Sequence, residues 1–177
     1  MLRRTSSGLC TFLWIVSAAG CAQPPSQELD MAAARVEVAR ASEAALFAAE
    51  LLASAEAALA EARRLAEEEK AYRSAILVAG EAVERADEAF RQSTRTKRVV
   101  TIKLRHCLGE LQGLISIARS RGATPEELAP FELRYQGVRT LGESGDLLAA
   151  IAEAEAFKPE LLLFEQRFRE TKSARGP

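Results

Sequence analysis

From Met31 onward, apolar or small residues recur at steps of three and four: Met31, Ala34, Val38, Ala41, Ala45, Ala48, Leu52, Ala55, Leu59, Ala62 and Ala66. That spacing returns a side chain to one helical face every turn and predicts a coiled-coil seam, with the helix opening at Ser26 as its N-cap. The acidic run Glu67-Glu68-Glu69 interrupts the pattern, and a corner there folds the next helix back antiparallel. A second seam passes through Ala75, Ala79, Ala82, Ala86 and Ala89, crosses the polar pair Ser93 and Thr96, and resumes at Val100, Leu104, Cys107, Leu111, Leu114 and Ala118. Unbroken from Ala71 to Arg121, this helix runs about 75 Å at 1.5 Å per residue and links two bundles.

Gly122 supplies a helix stop, and Thr124-Pro125-Glu126-Glu127 a start, with a capping Thr, Pro at the first helical position and Glu at the third. The helix that follows carries Leu128, Phe131, Tyr135, Val138 and Leu141 on one face and stops between Gly142 and Gly145. A last helix carries Leu147, Ile151, Ala154, Phe157, Leu161, Phe164 and Phe168, and Pro159 within it predicts a kink or a break near Phe157. Shifting the sequence by 76 places Leu52 on Leu128, Ala55 on Phe131, Leu59 on Tyr135, Ala62 on Val138, Leu65 on Leu141 and Ala75 on Ile151, the pattern of a repeated helical hairpin. The expected fold is all-α, of antiparallel coiled-coil-like hairpins. An alanine-rich unit over 28–92 and a second unit over 93–171 share the long central helix, and residues 172–177 form a disordered tail.

Composition sharpens this picture. Between Met31 and Arg91 there are 22 alanines. Each buries only a methyl group, whereas a buried Leu or Phe gains roughly 1.5–3 kcal/mol. The second copy of the hairpin replaces small residues with aromatics, as at Phe131, and the C-terminal unit is therefore expected to be the stable core. No proline lies between Pro25 and Pro125, which favours long helix. The net charge of −1 gives no sign of a nucleic-acid binder.

The first twenty residues have a different character. Arg3 and Arg4 make a charged start, Leu9 to Ala19 an apolar run too short to span a bilayer, and Ala18-Ala19-Gly20 a small-residue exit before Cys21. This arrangement resembles the lipobox of bacterial lipoproteins, although Ala18 stands where that family usually has Leu. The resemblance implies a signal peptide over 1–20, acylation of Cys21 on its thiol and new amino group, and a spacer over 21–27 containing Pro24 and Pro25. Ala22 after the cysteine, rather than Asp, implies an outer-membrane destination facing the periplasm. The mature chain would carry 22 basic against 25 acidic residues and one unmodified thiol, Cys107. From Ser26 to Gln92 the Ala-Arg steps at Ala34-Arg35 and Ala39-Arg40, with Ala49-Glu50-Leu51 and the run from Ala75-Ile76 to Ala86, resemble an uncharacterised alanine-rich domain of Gram-negative envelope lipoproteins. That domain often precedes an OmpA-like peptidoglycan-binding segment, and this sequence has no such segment.

Candidate chemistry is sparse. His106 and Cys107 are adjacent, but neighbours on a helix point about 100° apart, so Cys107 on the seam and His106 off it do not form a nucleophile and base pair. His106 and Glu110 at i, i+4 could offer two metal ligands without a third or fourth, and no phosphate loop, nucleophile elbow or dinucleotide fingerprint occurs. The expected protein is not an enzyme and uses no metal or cofactor. One electrostatic feature stands out: between Glu88 and Glu110 lie Arg91, Arg95, Lys97, Arg98, Lys103 and Arg105 and no acid. Arg91, Arg95, Arg98 and Arg105 are spaced four, three and seven apart, forming one helical stripe about 21 Å long. This stripe is a contact for an anionic partner, or else an exposed flank or a partner for Glu67 to Glu69.

These observations predict a lipid-anchored helical scaffold or interaction module in the envelope, with an envelope protein or another copy as partner. The alternative is a helical-repeat periplasmic adaptor for a peptide or an assembly subunit. Cleavage before Cys21 removes Trp14, the single tryptophan. The mature protein is accordingly expected to show tyrosine emission only, and tryptophan fluorescence in protein purified from membranes would rule cleavage out.

Overall fold

The computed structural model describes residues 24–174, so the leader, Cys21 and the start of the spacer lie outside the described residues. Six helices and no strand occur among them: α1 (Ser26–Ala41), α2 (Ala44–Phe47), α3 (Ala49–Glu67), α4 (Tyr72–Ser120), α5 (Pro125–Glu143) and α6 (Leu147–Ala174). The all-α hairpin architecture is as expected. α4 is one unbroken helix of 49 residues, about 74 Å long. α1, α2 and α3 pack along its first half and α5 and α6 along its second, and no helix of the first group packs its backbone against α5 or α6.

Two hydrophobic clusters sit on this shared helix. The first joins Ala32, Val36, Ala39, Leu52, Ala55, Leu59 and Ala62 to Ala79, Ala82, Ala86 and Ala89. The second joins Leu104, Leu111, Ile115 and Ala118 to Leu128, Val138, Ile151, Ala154, Phe157 and Leu161. Phe131 stacks with Phe157 at 6.0 Å between ring centroids, and Phe164 lies 4.5 Å from Phe131. The heavier side chains are thus in the second cluster. Phe47 of α2 reaches into it and provides an apolar link across the waist of α4.

Local chemistry explains most of the boundaries. Thr124 accepts from the Glu127 backbone N–H at 3.3 Å while the Thr124 N–H donates to the Glu127 carboxylate at 2.8 Å, a reciprocal cap with Pro125 in the first turn. Gly122 (φ +103°) and Gly145 (φ +94°) take the left-handed conformation that ends α4 and α5. α3 and α5 are both 19 residues long and begin and end at positions 76 apart, so the repeat in the hydrophobic pattern extends to the helix ends. At the far end of α4, Arg121 pairs with the buried Glu165 of α6, which Arg169 also approaches at 3.6 Å. Arg134 of α5 binds Glu153 and Glu160 of α6 and lies 4.8 Å over the Phe157 ring, clamping the two helices together.

Four expectations need correction. The seam from Met31 to Ala66 is not continuous: Glu43 takes a left-handed conformation (φ 62°) and Ala48 an extended one (φ −153°), splitting the segment into α1, α2 and α3. α1 is therefore free to choose its own face. It buries Ala32, Val36 and Ala39 and exposes Met31, Ala34 and Val38, a phase that seats small and β-branched side chains against the alanine face of α4 and leaves the long Met31 outside. At the start of α1, Pro25 rather than Ser26 occupies the N-cap position. Last, α6 runs without a break through Pro159 to Ala174, and residues 175–177 of the expected tail lie outside the described residues. Pro159 is exposed, so water can satisfy the carbonyl it leaves without a partner, while buried Phe157 and Leu161 hold the turns on either side.

The corner at Ser42 and Glu43 also accounts for the polar gap in the second seam. Ser93, fully buried on α4, donates its hydroxyl to the Ser42 carbonyl at 2.5 Å. A chain reversal leaves that carbonyl outside any helix, and the serine supplies the hydrogen bond an alanine could not. Ser93→Ala is expected to leave the carbonyl unpaired and to lower unfolding stability by about 1–3 kcal/mol in a urea titration, with helical content unchanged.

Candidate functional site

Helix α4 is covered by its neighbours on one side and open on the other. With about 100° between successive residues, the alanines and leucines of the two clusters define the covered side, and Arg91, Arg95, Arg98, Val99, Ile102 and Arg105 fall on the open side. All four arginines are exposed, and between them Val99 and Ile102 are 60% and 56% exposed. The arginine stripe read from the sequence is therefore one surface, and two β-branched apolar side chains that the charge pattern did not reveal belong to it. The signal for them was present, since Val99 and Ile102 lie off the phase of the second seam.

The surrounding acids divide the six cations into two sets. Lys97 pairs with Glu43 of the α2 corner at 2.8 Å, Lys103 pairs with Glu155 of α6 at 2.6 Å, and Arg91 pairs with Glu88 one turn earlier at 2.7 Å. The hydrogen bond and charge of Glu155 hold Lys103 above the ordinary lysine range. Arg95, Arg98 and Arg105 form no ion pair or hydrogen bond with any described residue. The two lysines sit at the edges of the covered side, within reach of neighbouring helices, whereas Arg95 and Arg98 lie on the open side and Arg105 at the rim of a groove shared with α5 and α6. Pairing of the stripe with Glu67 to Glu69 does not occur: Glu69 binds Arg64 of its own hairpin, and the acidic run lies at the far end of α4.

Next to the stripe, Thr101, Leu104, Arg105 and Leu108 of α4 meet Tyr135, Arg139 and Gly142 of α5 and Leu147 of α6 around an open groove of about 420 Å³. Gly142 allows the close approach here, because a Cβ at that position would lie 2.7 Å from Leu104 Cδ2. Arg139 turns back to Glu143 at 2.7 Å, so Arg105 is the unpaired cation at the rim.

The other candidates resolve into structural roles. Cys107 is a half-buried free thiol on the second cluster, and His106 is exposed with Nε2 3.7 Å from Glu110. Glu110 is engaged by Lys158 of α6 at 2.9 Å, which holds its carboxyl below the usual range, helped by the nearby His106. That ion pair is present above the ordinary carboxylate range and is lost as pH falls through the lowered pKa. No cluster of three or more His, Cys, Asp or Glu side chains suited to a metal occurs among the described residues, and none of their helices is long and apolar enough to cross a membrane.

Because Arg95, Arg98 and Arg105 contribute no ion pair to the fold, changing all three to Gln is expected to alter unfolding stability by less than about 0.5 kcal/mol per site. A loss of several kcal/mol in a denaturant titration would show instead that they hold the structure together. Comparison with known proteins yields no match to a family model, a curated protein or a solved structure.

Proposed function

We propose that the protein is a lipid-anchored, non-enzymatic helical scaffold or interaction module of a bacterial envelope, attached through Cys21 and facing the periplasm from the outer membrane. The observation that carries this reading is the coincidence at the N-terminus of Arg3 and Arg4, an eleven-residue apolar run and small residues ending at Cys21. Two further features support it. The single helix α4 gives a strut about 74 Å long on which both clusters are mounted, and its open side presents arginines not used by the fold. Several acyl chains give firm attachment where one alone is marginal. The adaptor reading draws on one specific observation, the recurrence of a 19-residue helix at an offset of 76, since repeated hairpins can line a groove for a peptide.

Cys21→Ser is expected to abolish incorporation of labelled palmitate and to leave the chain either uncleaved or free of the membrane fraction. A variant with unchanged mass and unchanged membrane retention would overturn the anchor.

A further inference from the structure

We infer that the open side of α4 between Arg91 and Arg105 is a docking surface for an anionic lipid headgroup layer, along which α4 lies parallel to the membrane plane. For its orientation, this inference rests on the anchor proposed above; its chemistry does not depend on acylation.

The composition of the surface favours a headgroup layer as the occupant. Arg95, Arg98 and Arg105 are exposed and form no pair with any described residue, while four acids near this stretch are taken up by other cations: Glu43 by Lys97, Glu155 by Lys103, Glu88 by Arg91 and Glu143 by Arg139. Among these cations lie Val99 and Ile102, each more than half exposed. Guanidinium groups flanking short apolar side chains on one face of a helix match an interface, where the former meet phosphates and the latter enter the boundary below them. The protein as a whole carries a net charge of −1, so attraction to an anionic layer has to be local and oriented.

The position of the chain's exit agrees with this arrangement. Pro24 and Pro25 lie with the first turn of α1 against Ile76, which is itself exposed near the start of α4. Cys21 is three residues before Pro24, within about 11 Å of it even in an extended chain. From Ile76 the unpaired arginines lie about 29–44 Å further along the same helix. An anchor at one end and a basic, partly apolar band further along would give two attachments that lay the strut flat.

The test uses the full-length Cys21→Ser chain, which carries no acyl groups, and vesicles of phosphatidylcholine with or without phosphatidylglycerol. The leader contributes equally to every variant, so the comparison isolates the band. Capture is expected to favour the anionic vesicles, to weaken as salt rises, and to fall on the order of 100-fold when Arg95, Arg98 and Arg105 are changed to Gln, since each basic residue near such a surface gains roughly fivefold. A charge-matched control, Arg35→Gln with Arg63→Gln and Lys70→Gln, is expected to retain capture, and circular dichroism confirms that each variant is folded. Equal capture by both vesicle types, or by the band variant and its parent, would overturn the inference and leave the band to an acidic protein. An equal loss in the control would reduce the effect to net charge and overturn it as well. Because no acyl group is present, failure here leaves the anchor standing, and failure of the anchor leaves this result standing.

Discussion

Everything in the first half of this fold depends on how closely helices can pack when the side chains between them are alanine. Interaxial distances are set by the residues at the contact, and an alanine seam lets backbones approach near the lower limit. Ala75, Ala79, Ala82, Ala86 and Ala89 give α4 such a seam, and Ala55, Ala58 and Ala62 of α3 with Ala32 and Ala39 of α1 answer it. Little apolar area is gained per residue, so the arrangement relies on length and on many small contacts. In the same packing α1 buries Ala32, Val36 and Ala39 and turns Met31 and Val38 outward.

The waist of α4 is where this tight packing gives way to a conventional core of leucines and aromatics. There the chain makes its least regular turn, with a left-handed glutamate, and three interactions secure it. The Ser93 hydroxyl satisfies the corner carbonyl, Lys97 pairs with Glu43, and Phe47 crosses into the second cluster. A buried serine in an otherwise apolar stripe is costly by itself; opposite an exposed backbone carbonyl it is satisfied.

Electrostatics follows from the same geometry. The lysines of the acid-free stretch lie beside neighbouring helices and find Glu43 and Glu155, while Arg95, Arg98 and Arg105, a fraction of a turn away, face open solvent. Exposed pairs of this kind add little to stability. Their consequence is that the positive charge left over in this stretch lies on one side of the helix, together with Val99 and Ile102.

The sequence by itself determined what local physics controls: the all-helical class, the corner at Glu67 to Glu69, the Thr124 capping box, the stops at Gly122 and between Gly142 and Gly145, and the buried faces of α3 to α6. In those helices the buried residues recur in one helical phase, of alanine in the first half of α4 and of leucine and aromatics in its second half and in α6. It also contained the arginine stripe, because four residues on one helix need only the helical repeat to align them. The tertiary structure decided the rest. The break at Glu43 carries no glycine to announce it, and the face of α1 is ambiguous when alanine occupies adjacent phases, so both were set by the fit to α4. Pro159 stays inside a helix because the core on either side of it outweighs one lost hydrogen bond. Neutralisation of Lys97 and Lys103 depended on acids more than fifty residues away, and only packing brings those within reach.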